Sequence, residues 1–210
     1  MTMETSPRST ARDRLLDLAE SAVLAKGFAA TSIEELIAGA GITKGGFFYH
    51  FREKSELARA LLERDIARDE AALDAIFSEA ESAHADPLDA FVEGLGAYAE
   101  AAMRGVSSAH PGCLIASFTY EAGLIDADAQ AVSAEGMRRR RAALRRQLEK
   151  AAAAHPGCAD IDVDALADMA LCTFQGALVL NKLMRDRSIL QSQIGLYQSY
   201  VRQLFADAAA

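Results

Sequence analysis

GITKGGFFYHFREK, residues 41–54, joins the adjacent glycines Gly45 and Gly46 to Phe47, Phe48, Tyr49, His50 and Phe51 and ends in the basic pair Arg52 and Lys54. Each glycine inside a helix costs roughly 1 kcal/mol against alanine, so a packing helix has no use for two. A solvent loop has no use for four aromatic rings. A short helix meets both demands if one face packs inward through its rings and the other presents bare backbone and polar ring tips to a large partner. Thr43 is placed to cap such a helix over residues 44–51.

The flanks agree with that reading. A first helix is expected over residues 10–26, with Leu15, Leu18, Ala19, Ala22 and Val23 on one stripe and Gly27 at its end. Thr31 with Glu34, or Ser32 with Glu35, has the spacing of a capping box. It opens a second helix over 33–40 that buries Ile33, Leu36 and Ile37 and stops at Gly41. A long fourth helix starts at Lys54-Ser55 and carries Leu57, Leu61, Ile66, Leu73, Ile76 and Phe77. Two short helices across a tight glycine turn, braced by a preceding helix, describe a helix-turn-helix. In it Gly45 and Gly46 sit at the end of the recognition helix that meets the bases. Tyr49 and His50 offer polar tips to phosphates, and Phe47 and Phe51 pack back. Lys54 joins its charge to a helix N-terminus as a phosphate ligand. The candidate DNA-facing set is Thr31, Ser32, Thr43, Lys44, Gly45, Gly46, Tyr49, His50 and Lys54.

Charge is distributed accordingly. Residues 1–54 hold seven basic and seven acidic side chains, so the whole net charge of −8 resides in residues 55–210. The body repels nucleic acid and leaves the N-terminal part as the place that tolerates it.

The segment TSIEELIAGAGITKGGFFYHFREKSEL resembles the DNA-binding segment of the TetR/AcrR family of bacterial transcriptional regulators, a likeness that covers about residues 8–69. The cap, the turn glycine, Thr-Lys-Gly, an aromatic cluster ending His-Phe, and a lysine opening a long helix carry it. Phe48 stands where the family usually has tyrosine, and Gly46 where it often has a hydroxyl residue. The resemblance implies a homodimeric repressor on a palindromic double-stranded operator, with an effector bound among helices four to eight moving the fourth helix. Half-sites about 34–36 Å apart would then fall out of register.

The rest of the chain reads as helices with short breaks and no persistent strand alternation, giving an all-α fold of about nine helices. The expected division is a flexible tail over 1–8, a helix-turn-helix domain over 9–54, a connector from the start of the fourth helix to about 69, and an effector-binding and dimerisation domain over 55–210. Candidate pocket residues are Phe77, Phe91, Leu95, Tyr98, Met103, Cys113, Phe118, Tyr120, Phe174 and Gln175, and their apolar character suggests a small hydrophobic or aromatic effector. The last helix carries two stripes about 90° apart: Leu190, Ile194, Tyr197, Val201, Leu204 and Phe205 on one, and Ile189, Leu196 and Tyr200 on the other. With Gly176 and Leu180 of the preceding helix, the second stripe is the expected dimer face, because a monomer would expose an unusually large apolar patch. The basic run of residues 138–141 sweeps too far around a helix to form one face and is expected to be solvated, with acidic partners.

AHPGC occurs twice, at residues 109–113 and 154–158. His and Cys are zinc ligands, but nothing in the spacing brings the copies together, and Pro-Gly marks turns. No cofactor or metal is expected. His110 with Cys113, or His155 with Cys158, lacks a third group to orient a nucleophile, so an enzyme is not expected. Cys113 precedes a helix, a position that favours thiolate reactivity. GCLIAS is similar to a branch of the family with a sensing cysteine there, an alternative to a reversible effector. Cys172 is expected in the core. A second alternative is an architectural DNA-binding dimer without an effector, which would have no cavity. The polar start of the chain lacks a signal-peptide core, and residues 165–180 fall short of the roughly 20 that span a bilayer. A cytoplasmic protein without a membrane partner is expected.

Overall fold

The structure, a computed structural model, describes residues 10–105 and 112–208. The expected tail over 1–8, His110 and the start of the first AHPGC copy lie outside the described residues. Among the described residues there are nine α-helices, two 3-10 turns and no strand.

α1 (Ala11–Lys26) is opened by a capping box between Thr10 and Asp13. α2 (Ile33–Ala40) is capped by Ser32, whose hydroxyl accepts from Glu35 N. Gly41 ends it at φ 65°, ψ 39°, a left-handed turn that favours glycine. α3 (Lys44–His50) is capped by Thr43, which accepts from Gly46 N at 3.1 Å. Phe47 and Phe51 are fully buried, ring centroids 5.8 Å apart, against α1 and α2. α4 (Lys54–Ala83) runs 30 residues out of this unit into the body.

The body consists of α5 (Pro87–Gly105), α6 (Leu114–Tyr120), α7 (Ala127–Ala154), α8 (Val163–Met184) and α9 (Ser188–Ala208). α4 packs on α5 and α7, α8 packs on α7 and α9, and α5 bridges α7 and α9. Leu190, Ile194, Tyr197, Val201 and Phe205 of α9 are buried, while Leu196 and Tyr200 face out. α8 is long and apolar enough to cross a membrane by length and composition, which corrects the shorter span expected from sequence. Its Leu166, Ala170, Phe174 and Leu178 are spent on the protein core, and Asp164, Asp168 and Lys182 interrupt it.

The two hydrophobic cores do not part at residue 54. Leu114, Ile115 and Phe118 of α6, with Ile125 and Ala129, complete the N-terminal core around Leu15, Leu36, Phe47 and Leu57. Phe118 packs on Phe28, centroids 5.1 Å apart. Just beyond α6, the Glu121 carboxylate accepts from Ala29 N at 2.7 Å, in the α1–α2 loop. Lys182 of α8 donates to Leu24 O at 3.0 Å. Body and DNA-binding unit are thus clasped at several points.

Candidate DNA-binding face and effector cavity

α3 turns one side to solvent. Thr43, Lys44, Gly45 and Tyr49 are exposed, with Ser32 at the nearby start of α2, and His50 is half-buried. Tyr49 is 85% exposed, and Phe48 is also out in solvent. A Cβ built on Gly45 would meet only Thr43 Oγ1, at 3.9 Å, and one on Gly46 would make ordinary contacts of 3.5 Å. Neither glycine has positive φ. The fold therefore needs glycine at neither place, and a reason for them must come from outside the chain.

Two residues of the expected set are corrected. Thr31 is buried, and its hydroxyl donates to Gly27 O at 2.9 Å, so it braces the α1–α2 loop. Lys54 points inward: Nζ donates to Phe28 O at 2.5 Å and lies 4.1 Å from the Phe28 ring centroid. Burial lowers its pKa, partly countered by the charge of Glu121. Its ammonium holds the loop together where sequence assigned it to a phosphate.

A cavity of about 400 Å³ lies where α1 meets the body. Glu20, Ser21 and Leu24 of α1 form one wall, and α4, α5, α7, α8 and the start of α6 form the rest. Of the expected pocket residues, Tyr98, Cys113 and Phe174 line it, with the Tyr98 and Phe174 rings stacked at 5.1 Å. Gln175 stands behind Cys113 and donates to its Sγ at 3.4 Å. The others are elsewhere. Phe77, Phe91 and Leu95 fill the C-terminal core, where Phe77 and Phe91 stack at 6.3 Å. Met103 borders a separate open groove with Arg187. Phe118 belongs to the N-terminal core, and Tyr120 is out in solvent. Helical spacing marked these as inward-facing; Tyr120 faces no interior at all, and for the others the helix opposite decides which interior they face.

The wall is also more polar than expected. Asp65, Arg68 and Asp69 of α4 and Arg140 of α7 line it beside Glu20. Arg140, expected in solvent, is buried; its Nε donates to Asp69 Oδ2 at 2.8 Å, and Tyr98 Oη donates to Asp69 Oδ1 at 2.5 Å. Burial opposes the charge of Arg140, but the anionic neighbours win and raise its pKa. Burial raises the Tyr98 hydroxyl well above its ordinary value, and burial also raises Asp65. The other arginines of the run do find surface acids: Arg138 and Arg139 pair with Glu135, and Arg141 pairs with Asp164 and Asp168.

Among the described residues no group of three His, Cys, Asp or Glu side chains could hold a metal ion. His155 is held by Ala151 O at 2.9 Å and faces Asp86, and the Cys158 thiol donates to Phe205 O. Cys172, expected in the core, is exposed on α8, because that helix has one uncovered side. This side carries Met169, Gly176, Val179, Leu180 and Leu183, and with Leu196 and Tyr200 of α9 it makes an apolar surface; Ile189 is half-buried at its edge.

Residues 15–61 match the bacterial regulatory proteins of the tetR family, and residues 88–194 match the tetracyclin repressor-like C-terminal domain. The transcriptional regulator AcuR of Cereibacter sphaeroides is 29% identical over 164 residues, 75% of this chain and 70% of AcuR. The HTH-type transcriptional regulator TtgR of Pseudomonas putida is 36% identical over 52 residues, 25% of each chain. The regulatory protein TetR from Rhodobacter sphaeroides superposes with a TM-score of 0.79 at 23% identity, over 90% of this chain and 97% of that one. E. coli NemR in its reduced form gives 0.73 at 24% identity, over 90% and 96%. These relatives are regulators and not enzymes.

Proposed function

Because the chain belongs to the TetR family of bacterial regulatory proteins, we propose that it is a homodimeric repressor released from a palindromic operator by a small molecule bound in the cavity between α1 and the body. The observation that carries this is the cavity's position. Its walls include both α1 of the DNA-binding unit and α4, the helix that leads to α3. A ligand that spreads those walls moves the reading head directly. A volume of about 400 Å³ falls in the range of small-molecule sites, which favours an effector-controlled regulator over an architectural dimer. Work on chromosomal DNA places the protein in the cytoplasm.

In vitro selection from random duplexes should return a two-fold symmetric site with half-sites about 34–36 Å apart; an asymmetric or absent consensus would refute the dimeric repressor. A compound library screened on that labelled complex should yield molecules that release the wild type but not Ala72→Phe, whose ring fills the cavity. Compounds that release both equally would place the effector elsewhere.

Gly45→Ala tests the reading head. It removes a glycine penalty of up to about 1 kcal/mol, so the melting temperature should rise. The added methyl stands on the open face, so operator affinity should fall. Unchanged affinity in the more stable variant would mean that α3 does not approach DNA at Gly45.

One observation favours a second reading, in which the effector is an electrophile that reacts with Cys113. The thiol is on the cavity wall, with the Gln175 amide 3.4 Å from Sγ. A soft electrophile such as N-ethylmaleimide should then release operator from the wild type and leave Cys113→Ser bound. Equal release of both, or of neither, leaves Cys113 as lining for a reversible ligand.

A further inference from the structure

The hydrogen-bonding groups around the cavity are unequally satisfied, and the inequality specifies the ligand. All three lining carboxylates are engaged: Glu20 with Arg64 and Arg68 at 2.8 Å, Asp65 with Arg68 at 3.3 Å, and Asp69 with Arg140 at 2.8 Å and Tyr98 at 2.5 Å. The Tyr98 hydroxyl spends its one proton on Asp69. Arg140 is different. Only its Nε donates among the described residues, although the side chain is just 7% exposed. Its two terminal nitrogens have no partner there, and the charge they carry lies beside Tyr98, Asp69 and Cys113, all on the cavity wall. Donors that lose their water without gaining an acceptor are costly, so whatever displaces water from this cavity must supply one.

The charge balance decides which kind of acceptor. The lining holds three carboxylates against the guanidinium groups of Arg68 and Arg140, so it is already negative by one. Adding Arg64, which also pairs with Glu20, and its second partner Asp17 at 2.7 Å leaves the balance as it was. An anionic ligand would bring a further negative charge next to Asp69 and Asp65, and the raised pKa of buried Asp65 marks a place where negative charge is already disfavoured. A cation meets carboxylates whose partners are in place and leaves the Arg140 donors unfilled. The remaining wall is apolar, with Leu24, Leu114, Phe174 and Leu178 around the site.

We infer that the effector is an uncharged, largely apolar molecule bearing a carbonyl-type acceptor, which the two terminal nitrogens of Arg140 take up. The inference rests on the reading of this cavity as the effector site. It makes Arg140 the residue that sets ligand class, with Asp69 and Tyr98 fixing its plane. It also puts the ligand's polar end against α4, the helix that carries Asp69.

Four molecules of one skeleton test it: acetophenone, ethylbenzene, benzoate and benzylamine, titrated into the full-length protein and followed by NMR. Acetophenone should bind about tenfold more tightly than ethylbenzene, the advantage of a charge-assisted hydrogen bond, and ahead of both ions. Arg140→Lys keeps the charge beside Asp69 but lacks the planar donor pair, so it should erase that advantage and leave ethylbenzene binding unchanged. Ala72→Phe should block all four. Benzoate or benzylamine binding tightest, or ethylbenzene equalling acetophenone, would overturn the ligand class and leave the cavity reading intact. If none of the four distinguishes the wild type from Ala72→Phe, both readings fall. If Arg140→Lys does not fold, the ranking on the wild type alone decides.

Discussion

Glutamate at both Leu196 and Tyr200 is expected to make the protein monomeric at concentrations where the wild type is a dimer, and to weaken operator binding by about 10²–10⁴-fold. Both side chains are substantially exposed, 62% and 48%, on the apolar side of α9. The neighbouring side of α8 adds Leu180, Leu183 and Met184, and nothing lies within 4 Å of a Cβ built on Gly176. An apolar patch of this kind on two adjacent helices marks an association surface. In a two-fold arrangement the paired substitutions would bury four carboxylates without partners, which a dimer cannot tolerate. The loss of DNA affinity then follows from valency. A dimer binds its second half-site as an intramolecular event, and a monomer has no such gain. Light scattering gives the mass, and fluorescence anisotropy on the selected duplex gives the affinity. Circular dichroism should show unchanged helix content, since neither residue packs in the core. A dimeric mass in the double variant would remove the interface from α9.

The second large effect is on stability. Arg140→Leu should cost about 3–5 kcal/mol, the range for breaking a buried ion pair by removing one partner. Asp69 would remain beside Tyr98 as a carboxylate with no guanidinium to offset its desolvation. The reverse combination, Arg140→Leu with Asp69→Asn, should recover most of that loss, because asparagine still accepts the Tyr98 proton and carries no charge. Urea unfolding at one fixed protein concentration is measured on four proteins, the wild type, Arg140→Leu, Asp69→Asn and the double variant, since a dimer's stability depends on concentration and additivity needs both single variants. A cost below about 1 kcal/mol for Arg140→Leu would mean that water reaches Asp69 freely and the pair acts as a surface contact. Full additivity of the two substitutions would likewise contradict the coupling.

The ends of the helices and the reading head were legible because their signals are local. Ser32 and Thr43 each cap a helix through a side chain and an amide three residues on, as the spacing implied. Phe47 and Phe51 are four apart, so they share the inward side of α3 and leave Tyr49 outside. The two stripes of α9 separated by the same logic, Tyr197 inward and Tyr200 outward. The failures also have a common cause. Lys54 looked like a phosphate ligand from its neighbours in sequence, but its partner, Phe28 O, is 26 residues away. Thr31 had a capping spacing, yet Ser32 took the cap and Thr31 turned to Gly27 O. Cys172 sits in an apolar stretch, and no spacing rule says which side of such a helix a second helix covers.

By itself the sequence determined the helical architecture, the helix-turn-helix with its paired glycines, and the outward Leu196 and Tyr200 of α9. These depend on contacts within one or two turns, where residue spacing is geometry. Only the tertiary structure decided the character of the cavity. Arg140 meets Asp69 across 71 residues and Tyr98 meets Asp69 across 29. Within its own helix an arginine among arginines reads as solvated. It becomes a buried donor because α4 brings a carboxylate to the one place where α7 turns it inward, and that meeting is set by the packing of α4, α5 and α7 and by no pattern along any one of them.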